Sequence, residues 1–273
     1  MNNNLNNYFM KPTNLKDIPI YPIKLMDYEE FSLLANQYIL LDIPQLNNKL
    51  KQEGKDELPF NTLFEYLVTI IEDEFKILGQ IKKNFNQNSK RKIPNKELEE
   101  MIREKYSLNS EVNICRLLNM TLHKDISFNK TMRCFAIADK GKIIGVINDS
   151  NFYEYRKIVM EQNLLFTPLI APTKQAQRYI DAKVNGNSTV NSDIEAMIAF
   201  VSTNTNKDYS ECTYYRFKAD FYSLVKQLNR SDVVHFSAGG STKKNGEQLD
   251  IPNISEKLGV DENPYDNVFT INE

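Results

Sequence analysis

Apolar residues recur along most of this chain with helical spacing. Phe31, Leu34, Ala35 and Tyr38 fall at i, i+3, i+4 and i+7, which makes one side of that stretch apolar. Asp27 stands before it with Glu30 three residues on, the spacing of a capping box, so a helix is expected to start at Asp27. Phe64, Leu67, Val68, Ile71, Phe75 and Leu78 keep the same period for several turns after Pro59 and Asn61, the clearest helical signal in the chain. The stretch from Lys82 to Lys96 is polar and basic and reads as an exposed loop. Asn95 is then placed to cap a short helix bearing Leu98, Met101 and Ile102. From Ser110 to Leu122 the period is ambiguous, with helix favoured.

The pattern changes after Leu122. Met132 to Ala138 and Lys142 to Ile147 flank Asp139-Lys140-Gly141, where glycine supplies the positive φ of a tight turn, so a β-hairpin is predicted. Helical spacing then returns. Asn151 and Glu154 have cap-and-box spacing around Phe152, Tyr155 and Val159, and Ala176, Tyr179, Ile180 and Lys183 follow Pro172 and Thr173. Gly186-Asn187-Ser188 reads as a break between two lobes. Ser192 and Glu195 form an S-x-x-E box ahead of Ile194, Met197, Ile198 and Val201. Phe217, Phe221, Leu224, Val225 and Leu228 mark a last long helix, expected to end before Gly239 and Gly240. Internal repeats and a sustained heptad are missing.

These elements predict a mainly α, α+β chain: helical, with one central β-hairpin near 132–147 and extended arms at both ends. The expected division is an N-terminal arm over 1–26, a helical domain over 27–185, a C-terminal helical subdomain over 186–240 and a polar acidic tail over 241–273. Within the first arm, Pro12, Pro19 and Pro22 oppose helix. Ile18-Pro19-Ile20-Tyr21-Pro22-Ile23 is apolar enough to lie against something, as an edge strand or a docked arm.

Composition narrows the class. A chain of 273 residues with 41% hydrophobic and 26% charged residues suits one large or two smaller globular domains. Lys and Arg number 34 against 36 Asp and Glu, so no overall charge draws the chain to nucleic acid, and nothing opposes self-association. Cys115, Cys134 and Cys212 are odd in number and irregularly spaced, which suits a reducing compartment better than a disulfide framework. The N-terminus lacks a secretory pattern and no apolar run approaches the roughly 18–20 residues of a membrane span, so the cytosol is expected and a membrane is not.

Reactive chemistry is hard to find. His123 and His235 are the sole histidines, and no H-E-x-x-H, C-x-x-C, G-x-S-x-G or G-x-G-x-x-G pattern is present. Cys212 precedes a predicted helix whose dipole can lower a thiol pKa, and His235 could serve as base only in the sense that both residues exist; a small cap-region or core residue is the reading preferred for Cys212. Ala238-Gly239-Gly240-Ser241-Thr242-Lys243-Lys244 lacks the phosphate-loop consensus and follows a helix. Asp181-Ala182-Lys183 and Glu72-Asp73-Glu74 fall on predicted helices, which splay their side chains apart. No catalytic residue, cofactor or metal site is assigned.

Two features fit a partner. Lys82, Lys83, Lys90, Arg91 and Lys92 form a basic run able to contact phosphates, or an ordinary solvated loop. The second is aromatic density, 15 Phe and 14 Tyr with no Trp. Tyr214, Phe217, Phe221 and Leu224 can share the inner side of the last helix, leaving Tyr215 and Tyr222 for another surface; core packing accounts for them as well. Ile18, Ile20, Tyr21, Ile23, Tyr215 and Tyr222 are therefore the candidate protein-contact residues.

Three segments resemble a family of phage tail and baseplate assembly proteins related to the baseplate-hub proteins of T-even phages. They are Ile18 to Phe31 (IPIYPIKLMDYEEF), Gly145 to Leu165 (GVINDSNFYEYRKIVMEQNLL) and Ser192 to Gln227 with its Thr213-Tyr214-Tyr215 opening. The resemblance covers about half the chain and lies in pattern and order. The basic stretch near Lys90 and the tail near Gly240 have no counterpart. It implies a non-enzymatic role in the host cytoplasm or in the virion tail, with hub, tube or tape-measure proteins as partners. A nucleic-acid-associated phage protein using residues 82–96 is the alternative.

Overall fold

The protein is described by a computed structural model over residues 3–88, 94–187, 194–243, 247–250, 253, 260–266 and 268. Among these are ten α-helices, a three-stranded antiparallel sheet and a two-stranded one. The fold is mainly α, of α+β type, as the hydrophobic pattern predicts.

The first segment departs from expectation. It contains α1 (Asn3–Tyr8), a hairpin of β1 (Thr13–Leu15) and β2 (Ile18–Ile20), and a 3-10 turn at Leu25–Asp27. Lys16 takes a left-handed φ of 55° to turn the chain between the two strands. Leu15 and Ile20 are then fully buried in the main core, so the segment Ile18–Ile23 does lie against the rest of the molecule, as its apolar character predicts, but as part of a hairpin.

Helix α2 (Tyr28–Tyr38) buries Phe31, Ala35 and Tyr38. Its expected cap is absent. Asp27 closes the 3-10 turn in a helical conformation, whereas side-chain capping needs an extended residue. Glu30 instead holds Arg116 through two bonds of 2.7 and 2.8 Å. A helix absent from the sequence expectations follows, α3 (Ile43–Gln52), with Ile43, Leu46 and Leu50 at i, i+3 and i+7. Asp42 is extended, its carboxylate accepts from the first-turn backbone, and Gln45 returns the bond. Helix α4 (Leu63–Asn88) starts on Thr62, whose Oγ1 accepts from the Glu65 N–H at 3.1 Å. It continues to Asn88, into the stretch expected as a loop, because Ile81 and Phe85 help bury Leu78 against Leu98 and Ile102 of α5 (Asn95–Tyr106); residues 89–93 lie outside the described residues. Asn95 is the first residue of α5 and not its cap, and Met101 faces out.

Helix α6 (Ser110–Leu122) is capped from a distance. Glu74, halfway along α4, accepts from the Ser110 N–H at 3.0 Å and the Ser110 hydroxyl at 2.6 Å. The predicted hairpin is β4 (Cys134–Asp139) and β5 (Lys142–Ile147), with Lys140 and Gly141 at φ 49° and 79°, both positive as a type I′ turn requires. An unforeseen strand, β3 (Asp125–Asn129), pairs on the far side of β4, giving the order β3-β4-β5. Helix α7 (Asp149–Gln162) is capped by Asn148, which is extended and exchanges bonds with Asn151; the expected Asn151–Glu154 box is displaced by three residues. In α8 (Lys174–Asn187), Ile180 and Val184 pack inward, while Ala176, Tyr179 and Lys183 stay exposed. The break expected at Gly186 begins no earlier than Ser188, which lies outside the described residues together with Ser192. Then come α9 (Ile194–Thr205) and α10 (Tyr214–Ala238), the latter capped by Thr213 and ending before Gly239 as predicted.

The main core packs Phe135, Ile137 and Ile147 of the sheet against Phe31, Leu67, Ile71, Leu118 and Tyr155 of α2, α4, α6 and α7. A second core joins Met197 and Val201 of α9, Tyr209, Cys212, and Phe217 of α10 to Leu25. The acidic tail contributes buried anchors: Val260 against Tyr215 and Ala219, and Val268 against Ala171 and Ile180.

Arg156 is the main polar fixture inside this assembly. Its guanidinium donates to the Ile39 carbonyl at 2.5 Å and the Leu40 carbonyl at 3.1 Å beyond the end of α2, and reaches the Asp42 carboxylate at 3.4 Å. Arg156→Leu is expected to cost about 2–4 kcal/mol in urea denaturation, since it strands buried carbonyls and a partly buried carboxylate. Arg156→Lys should recover little, because one ammonium cannot reproduce the planar fork. Gly145 of β5 lies under the N-terminal hairpin: a Cβ there would meet Ile18 Cδ1 at 2.8 Å. Gly145→Val should therefore push the Ile18 side chain aside, read as chemical-shift changes centred on Ile18.

Candidate interaction surface

The residues singled out for chemistry are dispersed. Cys212 and His235 sit at opposite ends of α10, separated by roughly 30 Å of helix axis. Burial pushes the Cys212 thiol up, against the lowering expected from the helix dipole. His123 takes a left-handed φ of 53° at the end of α6 and stacks on Tyr21 with ring centres 4.5 Å apart. Each carboxylate of Glu72-Asp73-Glu74 has its own partner, respectively Arg133, Lys76 and Ser110. Asp181 accepts from Gln177 on the same helix. Gly239 and Gly240 terminate α10, and Lys243 pairs with Asp250. Among the described residues no group of three or more His, Cys, Asp or Glu side chains could hold a metal ion, and no helix is long and apolar enough to cross a membrane.

The predicted contact residues are largely turned inward. Ile20 and Ile23 are buried; Ile18 and Tyr21 are partly so. The reason is backbone demand. Between the hairpin and α2 the chain forms no ladder, so its N–H groups find partners elsewhere. Tyr21 donates to the Thr121 carbonyl at 2.8 Å, Ile23 to the Asn163 side chain at 2.8 Å, Leu25 to the Cys212 carbonyl at 2.7 Å and Met26 to the Ser210 carbonyl at 3.1 Å. Lys24 adds an ion pair with Glu211. Tyr28 stacks on Tyr214 at 4.0 Å, so that ring works inside the chain too. Tyr215 is buried by Val260, with Tyr222 packed partly beside it. Their assignment to an external contact is thereby corrected for Ile20, Ile23 and Tyr215.

The basic run is also redistributed. Lys82 pairs with Glu99 on α5, and Lys83 is exposed on the last turns of α4. Lys90, Arg91 and Lys92 lie outside the described residues.

A different apolar surface emerges on α10. Phe217, Phe221, Val225, Leu228 and Phe236 share one side of this helix at helical spacing. Phe217 is fully buried, and Phe221 packs edge-on against Phe200 of α9. Beyond α9 the same side opens: Leu228 is 41% exposed and Phe236 61%. The sequence signal was the apolar run itself; what it could not show is that α9 covers only the first half.

A cleft of about 620 Å³ lies where α4 and α7 begin, lined by Thr62, Glu65, Arg133, Asn148 and Asp149 among others. Its polar groups engage one another, as in the 2.6 Å bond from the Thr62 hydroxyl to Asp149.

Burial lowers the His123 pKa, Lys24 adds to the effect, and Asp27 opposes it. The fold thus prefers neutral His123, and the stability this brings is present above the ordinary histidine value and lost as pH falls through the lowered one. Wild type should lose more urea resistance than His123→Gln between pH 7 and pH 5, and NMR titration should place His123 below about 6.5. Burial also pushes Cys115 up to about 12. Its alkylation by iodoacetamide at pH 7.5 should be at least tenfold slower in the native chain than in urea.

Comparison with protein-family models, curated proteins and solved structures finds no match to this chain.

Proposed function

We propose that this protein works by contact, as a non-enzymatic assembly or structural component of a phage tail or baseplate. The observation that carries the contact reading is the half of α10 that leaves the core, where Leu228 and Phe236 stand exposed on the side that Phe217 and Phe221 bury, with Asp232 between them. Exposed aromatic side chains beside a packed interface are usual anchors of a protein contact. The tail and baseplate assignment is supported by the resemblance of the three segments; the first touches both others, Ile23 bonding Asn163 of the second, and Leu25 and Tyr28 packing with Phe217 and Tyr214 of the third.

The test is co-expression of the full chain with the tube, tape-measure and hub proteins encoded beside its gene, with complexes read by light scattering after size exclusion. A defined complex that survives 0.5 M salt and loses at least tenfold in affinity with Leu228→Glu plus Phe236→Glu is expected. Unchanged melting of the double variant, whose sites are exposed, separates lost contact from lost fold. Failure to bind any of these proteins would overturn the tail reading. Retention on DNA that falls steeply with salt would favour the basic stretch and a nucleic-acid role instead.

A further inference from the structure

We draw no further inference here: the strongest candidate, the cleft where α4 and α7 begin, rests on helix N-termini that Thr62 and Asn148 already cap, and the Glu65 and Asp149 carboxylates on its wall oppose the anion such a site would take.

Discussion

Hydrogen bonding along residues 20–28 ties the molecule together. This stretch is crossed by Pro22, has only one 3-10 turn, and yet is largely buried. A buried peptide group without a partner costs free energy comparable to a lost hydrogen bond, so the path of the chain follows the available acceptors. Those acceptors divide between two parts of the molecule, the first pair in one and the second pair in the other. Thr121 and Asn163 belong to the helices around the sheet, whereas Ser210 and Cys212 belong to the loop before α10. One strap therefore satisfies itself only when both cores are in place on either side of it.

The side chains follow the same logic. Ile23 goes to the main core, Leu25 to the second, and Tyr28 bridges them by stacking on Tyr214 while its hydroxyl donates to the Asn163 carbonyl. Burial raises the Tyr28 pKa strongly, which keeps the phenol neutral as a donor. With these aromatics consumed internally, the far half of α10 keeps Leu228 and Phe236 exposed. The aromatic richness of the chain thus serves mostly closure between its own parts.

Much of this organisation was legible from the residue pattern and some was not. Helices with a sustained apolar side, such as α2, α4 and α10, were visible because burial of one face leaves a period, whereas the period over α6 was ambiguous. The β4–β5 turn was visible because Lys140-Gly141 answers a backbone requirement. Capping was read less well: Asp27 and Asn151 have suitable side chains in unsuitable backbone conformations, while Asp42 and Asn148 have both. Helix α3 is short and was overlooked although Ile43, Leu46 and Leu50 stand at i, i+3 and i+7 behind the Asp42–Gln45 box, and β3 alternates for only five residues. For the contact residues the pattern identified apolar segments correctly as partners to something. It could not tell an internal partner from an external one, because Val260 and Cys212 lie far along the chain from the residues they cover or hold.

That distance bears on how the molecule is made. The Asn7 carbonyl accepts from Thr213, and the Tyr8 hydroxyl bonds Asp220, contacts spanning 206 and 212 positions. At a translation speed of about 5–20 residues per second, α1 waits roughly 10–40 s before its docking groove leaves the ribosome. Closure of α1 onto α10 thus waits until α10 has been made, and a nascent chain halted before α10 would display α1 and the strap as sticky, unmated polypeptide for chaperones to shield.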